Sequence, residues 1–400
     1  MPCGVRGDLR PGEQARVRSN DDFPRGIIPA RARFRRSPFV VLYWRGARLF
    51  AHDYARGHVA AIEPPLAAVL HACTTWQTVA GLHRTLGGTR PRAADYVRVL
   101  LSHGFLERAG AKLDARERAM ALLEPWNPAA GLFHDVTRRV RFLPPAAAAV
   151  LARRHARMFA MPPAVKHVKR AAVVRLPKPR TRGEFPEVLR ARRTWRRFGA
   201  GAVPLSDVAT ALALTLGVQH WVRTEFGRLP LKTSPSGGAR HPIEGYLYAS
   251  RVDGLRAGLY HYAADRHRLE RISTGDMTAR VRLWMPYGDY FSRAAFVVVL
   301  TAVLEREIWR YPYARAYRAA LAEAGHVCQT FCLTATWLGL APFCLMGLDD
   351  AAIEQDLGLD GVRETVVYAA GAGVRPQGTA WAPRRRGGLA SLPNPVFTDL

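Results

Sequence analysis

Two short segments of the chain combine residue types that suit a flat ligand carrying a phosphate. Residues 192–198 read RRTWRRF, and residues 233–242 read TSPSGGARHP. Arginine forms charge-assisted, bidentate bonds to phosphate oxygens, and a neighbouring threonine adds a hydroxyl. Glycine has no Cβ, so a Pro-Ser-Gly-Gly turn lets backbone N–H groups approach a planar ring closely. Each segment alone is a weak signal, but together they predict a site for a flat, phosphate-bearing cofactor.

Three further motifs follow these two in order. They read GLYHY at 258–262, EAGHVCQ at 323–329 and VVYAAGAG at 366–373. The series resembles the nitroreductase-like flavin enzymes, and most closely their SagB-type dehydrogenase branch, over roughly residues 176–376. The resemblance implies an α+β fold, in which a nitroreductase-like FMN-binding domain has a mixed sheet flanked by helices.

Matched position by position, the resemblance also implies which residues hold FMN. The set is Arg192, Thr194, Arg196, Ser236, Gly237, Gly347 and Arg385. The first three match family residues at the flavin phosphate and ring edge, and the Ser-Gly pair matches the segment against the isoalloxazine ring. Gly347 matches a backbone N–H near the reactive flavin nitrogen. Arg385 is our choice from an arginine run in the C-terminal arm.

The residue that takes a proton from the substrate is less well marked. Many SagB-type azoline oxidases carry a Lys-Tyr pair shortly before the EAGH helix, and the matching residues here are Pro312 and Tyr313. We predict Tyr313 as the base. A tyrosine hydroxyl is a base near neutral pH only where cations or hydrogen bonds lower its pKa, and Arg310 and Arg315 are close in sequence. The alternative is that Tyr313 packs in the core.

The resemblance implies an FMN-dependent oxidoreductase that dehydrogenates a ribosomally synthesised peptide, of the azoline-to-azole type or a related desaturation, with hydride transfer to flavin. It further implies a precursor peptide as substrate, other peptide-modifying enzymes as partners, and a homodimer. Two alternatives stay open. One is an NAD(P)H-dependent reductase of nitro compounds or quinones, and the other is a non-catalytic scaffold of a peptide-modification complex.

Composition and periodicity divide the chain into five parts, and the resemblance implies which part binds FMN and that the module before it recognises a peptide. We expect a flexible basic tail at 1–36, a winged-helix-like peptide-recognition module at 37–110, a helical linker at 111–175, the FMN domain at 176–376 and a C-terminal arm at 377–400. In the module we predict a strand hairpin, three helices and a short final strand. Thr75 is the predicted cap of the second helix, and Leu86 lies on its predicted buried face.

The third predicted helix of the module decides between two kinds of partner. Winged helices read DNA through this helix. Here it carries Arg92 and Arg98 but also Asp95, with few polar groups suited to base edges. Peptide docking or structural support is therefore favoured over nucleic-acid binding.

A second set of expectations concerns the main domain. We predict a buried central strand at 295–303 and a long helix at 312–338 that Pro312 opens. Gly325 lies inside this helix, where close approach of another helix would justify it. In the nitroreductase-like enzymes that the chain resembles, such helices form the dimer interface.

Charge and cysteine content bound the remaining possibilities. The formal net charge is +27, from 59 Lys and Arg against 32 Asp and Glu. We interpret it mainly as the codon preference of a GC-rich genome, with attraction to acidic partners as the alternative. The five cysteines form no CxxC pair, and no histidine or cysteine near Cys328 and Cys332 completes a set of metal ligands. We therefore expect neither a disulfide framework nor a metal site.

The sequence predicts a cytoplasmic protein. The N-terminal residues contain no apolar stretch of the kind that signal peptides need. The longest charge-free stretch, 327–348, is interrupted by polar residues, glycines and a proline, which is typical of a buried helix and loop rather than a membrane span.

Overall fold

The structure is a computed structural model in which two compact units follow one another. It describes residues 28–87, 89–138, 144–158, 182–224, 227–286 and 289–377. The chain divides between Thr137 and Arg138. Residues 1–27 of the predicted N-terminal tail and nearly all of the predicted C-terminal arm, including Arg385, lie outside the described residues, whereas Arg33–Arg36 of the predicted tail form a strand. Among the helices that are described, none is both long and apolar enough to cross a membrane.

The first unit consists of short strands and helices around one apolar core. Its strands are β1 (Arg33–Arg36), β2 (Val40–Arg45), β3 (Arg48–Asp53), β4 (His58–Ala61), β5 (Gln77–Thr78) and β6 (Leu106–Arg108). Its helices are α1 (Pro64–Ala72), α2 (Val79–Leu86), α3 (Arg90–Ser102), α4 (Ala115–Met120) and α5 (Pro128–Arg138), whose last residue belongs to the second unit. A 3₁₀ turn, Ala121–Trp126, joins α4 to α5.

Helices α1 to α3 share their core with the strand β1. This strand lies between β5 and β6 and pairs with both in antiparallel fashion. Phe34 of β1 is buried with Leu70, Leu82 and Val97 from the three helices. The hairpin β2–β3 is extended by β4 into a separate antiparallel sheet. The hairpin, the three helices and the final strand follow one another in the predicted order, and β1, β4 and β5 are additional to the prediction.

Two details of the second helix differ from the prediction. Thr78, not Thr75, caps α2, and its hydroxyl accepts a hydrogen bond from the N–H of Gly81 at 3.0 Å. Gln77 and Thr78 pair with β1 first, so the helix begins later than the predicted cap indicated. Leu86 is 39% exposed rather than buried, since α2 ends at this residue.

The second unit is built on one large sheet. Its described strands are β7 (Val203–Pro204), β8 (His220–Thr224), β9 (Gly227–Leu231), β10 (Ile243–Ala249), β11 (Val252–Asp253), β12 (Gly258–Ala263), β13 (Arg268–Thr274), β14 (Phe296–Val303), β15 (Ala341–Leu345) and β16 (Glu364–Gly373), of which β7 and β11 have only two residues each. Its helices are α6 (Pro145–Met158), α7 (Glu184–Ala191), α8 (Leu205–Leu216), α9 (Thr278–Trp284), α10 (Leu304–Arg310), α11 (Arg315–Trp337) and α12 (Asp350–Leu357).

The large sheet has the strand order β13-β12-β10-β14-β16-β15. All of these pairs are antiparallel, whereas the prediction was a mixed sheet. Short connections join β10 to β12 and β12 to β13, and short connections produce antiparallel neighbours. The parallel pair that the structure describes, β7 with β11, belongs to a separate two-stranded sheet.

The strand β14 lies inside the sheet, between β10 and β16, as its apolar, β-branched sequence predicted. Its side chains alternate between two packed layers. Val297 and Val299 join a core with Trp284 of α9 and Ile353 of α12. On the other face, Phe296 meets Phe331 of α11 edge to face at 6.0 Å.

The long helix α11 begins later than predicted. It starts at Arg315, and the residues before Pro312 form the separate helix α10. Proline lacks an N–H and restricts the residue before it, so here Pro312 separates two helices instead of opening one. Together, α10, α11 and the sheet position the residues of the candidate site.

Candidate functional site

The predicted arginine segment crosses the ends of two strands at one edge of the sheet. The N–H of Trp195 donates to the carbonyl of Pro342 in β15 at 2.8 Å, and the N–H of Gly199 donates to the carbonyl of Val374 at 2.8 Å. Trp195 itself is buried, and the guanidinium of Arg375 lies 5.9 Å from its ring centroid. A buried tryptophan therefore fixes the segment that carries the predicted phosphate ligands.

The three predicted ligands of this segment share intermediate exposure. Arg192, Thr194 and Arg196 are half-buried, whereas Arg197 is exposed. Arg192 follows the last residue of α7 and lies within electrostatic range of two thiols, Cys332 and Cys344. Two half-buried guanidinium groups close together in sequence suit an anionic ligand.

The Gly-rich segment lies along the helix α11. The N–H of Gly237 donates to Oε1 of Glu323 at 2.8 Å, and the hydroxyls of Ser234 and Thr330 are 3.1 Å apart. Ser236 accepts a hydrogen bond from the N–H of His241 at 2.8 Å and also bonds the Glu323 carboxyl. The turn is thus held by Glu323 of the motif EAGHVCQ, by Thr330 directly after the motif, and by its own serines.

Backbone geometry explains why a glycine occupies position 238 of this turn. Gly238 has φ +57°, and a Cβ there would lie 2.8 Å from the hydroxyl of Tyr311. Gly237, in contrast, has 3.6 Å to the nearest atom and thus ordinary room. Ala239 and His241 also have positive φ, at 50° and 45°, which non-glycine residues rarely adopt. Residues in such conformations cluster at functional sites.

A pair of buried carboxyl groups lies beneath the turn. Glu307 of α10 has no exposed surface, and neither of its carboxyl oxygens has a hydrogen-bond partner among the described residues. Burial, with a smaller contribution from Glu323, raises the pKa of Glu307 to about 7. Burial also raises the pKa of Glu323, against the lowering effect of the Gly237 N–H. Glu307 therefore exchanges a proton near neutral pH.

A lysine, Lys232, also lies close to the carboxyl group of Glu323. Lys232, Ser234, His241 and Glu323 line a cavity of about 10 Å³, close to the volume that one water molecule requires. Burial lowers the pKa of Lys232, and it lowers the pKa of His241 to about 4. The region behind the turn thus contains several groups whose proton affinities differ from their ordinary values.

Tyr313, the predicted base, lies at the surface. Its side chain is 51% exposed, and its ring centroid is 5.9 Å from that of Tyr311. Core packing, the alternative for this residue, is therefore not observed. Tyr311 is the tyrosine that lies against Gly238. The catalytic role of Tyr313 stays a prediction.

Gly347 follows the strand β15 in a short turn. The N–H of Leu348 donates to the carbonyl of Met346 at 2.9 Å, and Met346 is 63% exposed. A Cβ on Gly347 would be 3.7 Å from the nearest atom, so sterics alone do not require glycine here. Its predicted role depends on the backbone N–H, while Arg385 lies beyond the described part of the chain.

The structure corrects one expectation about the cysteines. Cys344 of β15 joins Cys328 and Cys332 of α11, and the three sulfur atoms lie within 4.8 Å of one another. The sequence suggested that no third ligand was near, because Cys344 is twelve residues from Cys332. The turn between α11 and β15 folds the strand back onto the helix and closes this distance.

Sequence reasoning missed Glu307, Tyr311, Lys232 and Cys344. A signal for the first was present, because Leu304, Glu307 and Ile308 have the spacing of one buried helix face. A glutamate on such a face is rarely buried without a partner. Nothing comparable marks Lys232 or Cys344, whose neighbours are brought close by the tertiary structure.

Comparison with known proteins places this site within one matched region. A model of the nitroreductase family matches residues 189–374. The chain is 32% identical over 142 residues to the trifolitoxin-processing protein TfxB of Rhizobium leguminosarum bv. trifolii, covering 34% of this chain and 38% of TfxB. It is 30% identical over 174 residues to "Putative nitroreductase MJ1384" of Methanocaldococcus jannaschii, covering 44% of this chain and 84% of that protein.

A solved structure gives a more distant match. It is the microcin synthetase McbBCD complex of E. coli with truncated pro-MccB17 bound. The match has 20% sequence identity and a TM-score of 0.47, and it covers 67% of this chain and 100% of the matched chain. The chain thus spans little more than a third of TfxB but most of the archaeal relative.

Proposed function

The chain belongs to the nitroreductase family, and on this premise we propose that it is an FMN-dependent oxidoreductase that dehydrogenates a ribosomally synthesised peptide. The observation that carries the proposal is that the family match, residues 189–374, contains both the arginine segment and the strained Gly-rich turn. The similarity to a trifolitoxin-processing protein supports a peptide substrate. It also agrees with the SagB-type branch that the motifs resemble.

The residues present fit FMN. The phosphate would be held by Arg192, Thr194 and Arg196, a set of two half-buried cations and a hydroxyl. The ring would lie against Ser236 and Gly237, where the missing Cβ of glycine lets a flat ring approach the backbone while the Gly237 N–H donates to Glu323. The backbone N–H of Gly347 and the side chain of Arg385 complete the proposed set. When bound, FMN supplies the acceptor for a hydride.

The chain itself must take the proton that accompanies hydride loss. Converting an azoline to an azole removes a hydride from one ring carbon and a proton from its neighbour. We keep Tyr313 as the proposed base. The Glu307–Glu323 pair offers a second acceptor close to the turn, because the first of these carboxyls exchanges a proton near neutral pH.

The proposed partners follow from the same reasoning. A precursor peptide is the substrate, and other peptide-modifying enzymes act before this one, since a heterocycle must form before it can be oxidised. Residues 37–110, which contain the helices α1 to α3, are the proposed peptide-recognition module. We further propose a cytoplasmic homodimer. Gly325, His326 and Gln329 are exposed along one face of α11, which leaves room for a second helix.

One experiment tests cofactor and reaction together. The full chain is incubated with FMN, excess FMN is removed, and the absorption spectrum is recorded. An anaerobic mixture with a synthetic azoline-containing peptide should then bleach the flavin absorbance, and the peptide should lose two hydrogen atoms by mass spectrometry. Tyr313→Phe should lower the bleaching rate by about 10²–10⁴-fold if this residue is the base. Tyr311→Phe is the matched control on the neighbouring ring.

The alternatives predict different results in the same cuvette. Bleaching by NADH or NADPH with a quinone as acceptor, and no reaction with the peptide, would favour a small-molecule reductase. A chain that retains no FMN under any condition but still binds the peptide would favour a scaffold. Either result would contradict the proposed dehydrogenase.

A further inference from the structure

The three cysteines of the second unit meet at one point between a helix and a strand. Cys328 and Cys332 are four residues apart in α11, so their side chains lie on the same face. This face packs against β15, which contributes Cys344. All three sulfur atoms are within 4.8 Å of one another. The first two residues are 3% and 2% exposed, while the third is only half-buried.

The distances among the sulfur atoms suit a shared metal ion. A Zn–S bond of about 2.3 Å in tetrahedral geometry places sulfurs about 3.8 Å apart. A spread of up to 4.8 Å therefore needs only small side-chain rotations to close. A disulfide, in contrast, would join two of the three and leave the third without a role. Three thiols converging from two elements are the ligand type that soft metals prefer.

The groups around the cluster complete the argument, because a metal site needs a matching outer shell. Three thiolates around a divalent ion carry a net charge of −1. Arg192 lies within electrostatic range of Cys332 and Cys344 and supplies a compensating positive charge. Tyr368 of β16 hydrogen bonds to the sulfur of Cys344. The half-buried side of Cys344 leaves access for a small fourth ligand.

We propose that Cys328, Cys332 and Cys344 form a three-thiolate site for a thiophilic divalent ion such as Zn²⁺, with water as the fourth ligand. The ion would tie β15 to α11. Because Gly347 is three residues after Cys344, it would also fix the turn that the proposed cofactor site uses. The metal site itself does not rest on the proposed oxidoreductase function.

Cadmium is the probe, since its bonds to thiolates absorb in the ultraviolet. The reduced full chain is titrated anaerobically with Cd²⁺, and bound Zn²⁺ is then measured by competition. We expect one high-affinity ion per chain. Cys328→Ser and Cys344→Ser should each weaken binding by more than about 100-fold, since loss of an outer-shell partner alone costs about 10–100-fold. Tyr368→Phe tests that outer shell and should weaken binding about tenfold.

Cys73→Ala is the matched control, because Cys73 is a buried cysteine in the first unit. It should leave the strong site unchanged. Circular dichroism and thermal unfolding without metal establish that each variant is folded, and Cd²⁺ should raise the unfolding temperature of the wild type but not of Cys344→Ser. Equal Cd²⁺ affinity in the wild type and Cys344→Ser would overturn the proposal, as would a reduced wild type that takes up no Cd²⁺.

Discussion

The two halves of α11 hold buried polar groups in opposite ways. Near its N-terminal half, Glu323 and Glu307 are buried together, and the second has no hydrogen-bond partner among the described residues. Near its C-terminal half, Cys332 and Cys344 lie close to the cation Arg192. One end holds two buried carboxyl groups, of which Glu307 has no hydrogen-bond partner among the described residues, and the other end places sulfur atoms close to a positive charge.

The difference between the two halves of α11 indicates which chemistry each half is suited to. A buried carboxyl without a partner holds its proton more tightly, so it exchanges that proton near neutral pH. A half-buried arginine segment, in contrast, keeps its charge and attracts an anion. The acidic end is therefore suited to move protons beneath the Gly-rich turn, and the basic end is suited to hold a phosphate.

The largest expected effect is at the basic end. Arg192→Ala/Arg196→Ala removes two charge-assisted donors, each worth about 1.5–3 kcal/mol. The FMN dissociation constant should therefore rise by at least about 100-fold. Fluorescence titration with FMN measures it directly.

The matched control for this pair is Arg197→Ala, which removes an exposed arginine from the same segment. It should change the dissociation constant by less than about twofold. If the double variant keeps the affinity of the wild type, the basic end is not the phosphate site and the comparison between the two ends fails.

The buried carboxyl group of Glu307, at the acidic end, should make the free energy of unfolding depend on pH. Burial raises the pKa of Glu307 from its ordinary value of 4.5 to about 7. Between these values the unfolded chain ionises while the folded chain keeps its proton, so the free energy of unfolding falls as pH rises. Glu307→Gln removes this penalty, and its stability relative to the wild type should improve by up to about 3 kcal/mol from pH 4.5 to pH 8. Urea denaturation at the two pH values measures the change.

Glu305→Gln serves as the control, since Glu305 is exposed in the same helix and lies 3.7 Å from Arg363. Its effect should be small and nearly independent of pH. A Glu307→Gln effect of the same size at both pH values would mean that the buried carboxyl does not hold its proton as inferred.

The same contrast shows what the sequence could predict and what it could not. The apolar run of β14 and the motif order were enough to predict the buried strand and the family. The turn in the Gly-rich segment could also be predicted, because glycine and serine favour turns through local backbone geometry. These features depend on residues that are neighbours in sequence.

The residues beneath the turn and beside the arginine segment were not predictable in this way. Glu307 meets Glu323 only because Pro312 separates α10 from α11 and lets the two helices pack together. Cys344 meets Cys332 only because β15 turns back onto the helix. The prediction of a mixed sheet was wrong for a related reason. The direction of each strand is set by the connections between strands, not by the sequence of the strands themselves.

The Gly-rich turn supplies the third prediction. Gly238→Ala places a Cβ 2.8 Å from the Tyr311 hydroxyl at φ +57°, and a left-handed conformation costs roughly 1–2 kcal/mol for such a residue. The turn should shift, and the FMN dissociation constant should rise about tenfold. The control is Gly237→Ala, where the nearest atom is 3.6 Å away, so the protein should fold with unchanged stability. If both variants bind FMN as the wild type does, the turn does not contact the cofactor.

The smallest effect concerns the exposed middle of α11, between the two ends. A Cβ on Gly325 would meet nothing within 4 Å, so Gly325→Leu should stabilise an isolated chain by up to about 1 kcal/mol through helix propensity. If a second copy packs on this face, the same side chain obstructs it, and the dimer dissociation constant should rise at least tenfold. Sedimentation equilibrium distinguishes the two results. Gln355→Leu adds a leucine to an exposed position of α12 and should leave association unchanged. A Gly325→Leu variant that is more stable and associates like the wild type would place the dimer contact elsewhere, and the glycine would then have no structural reason in this helix.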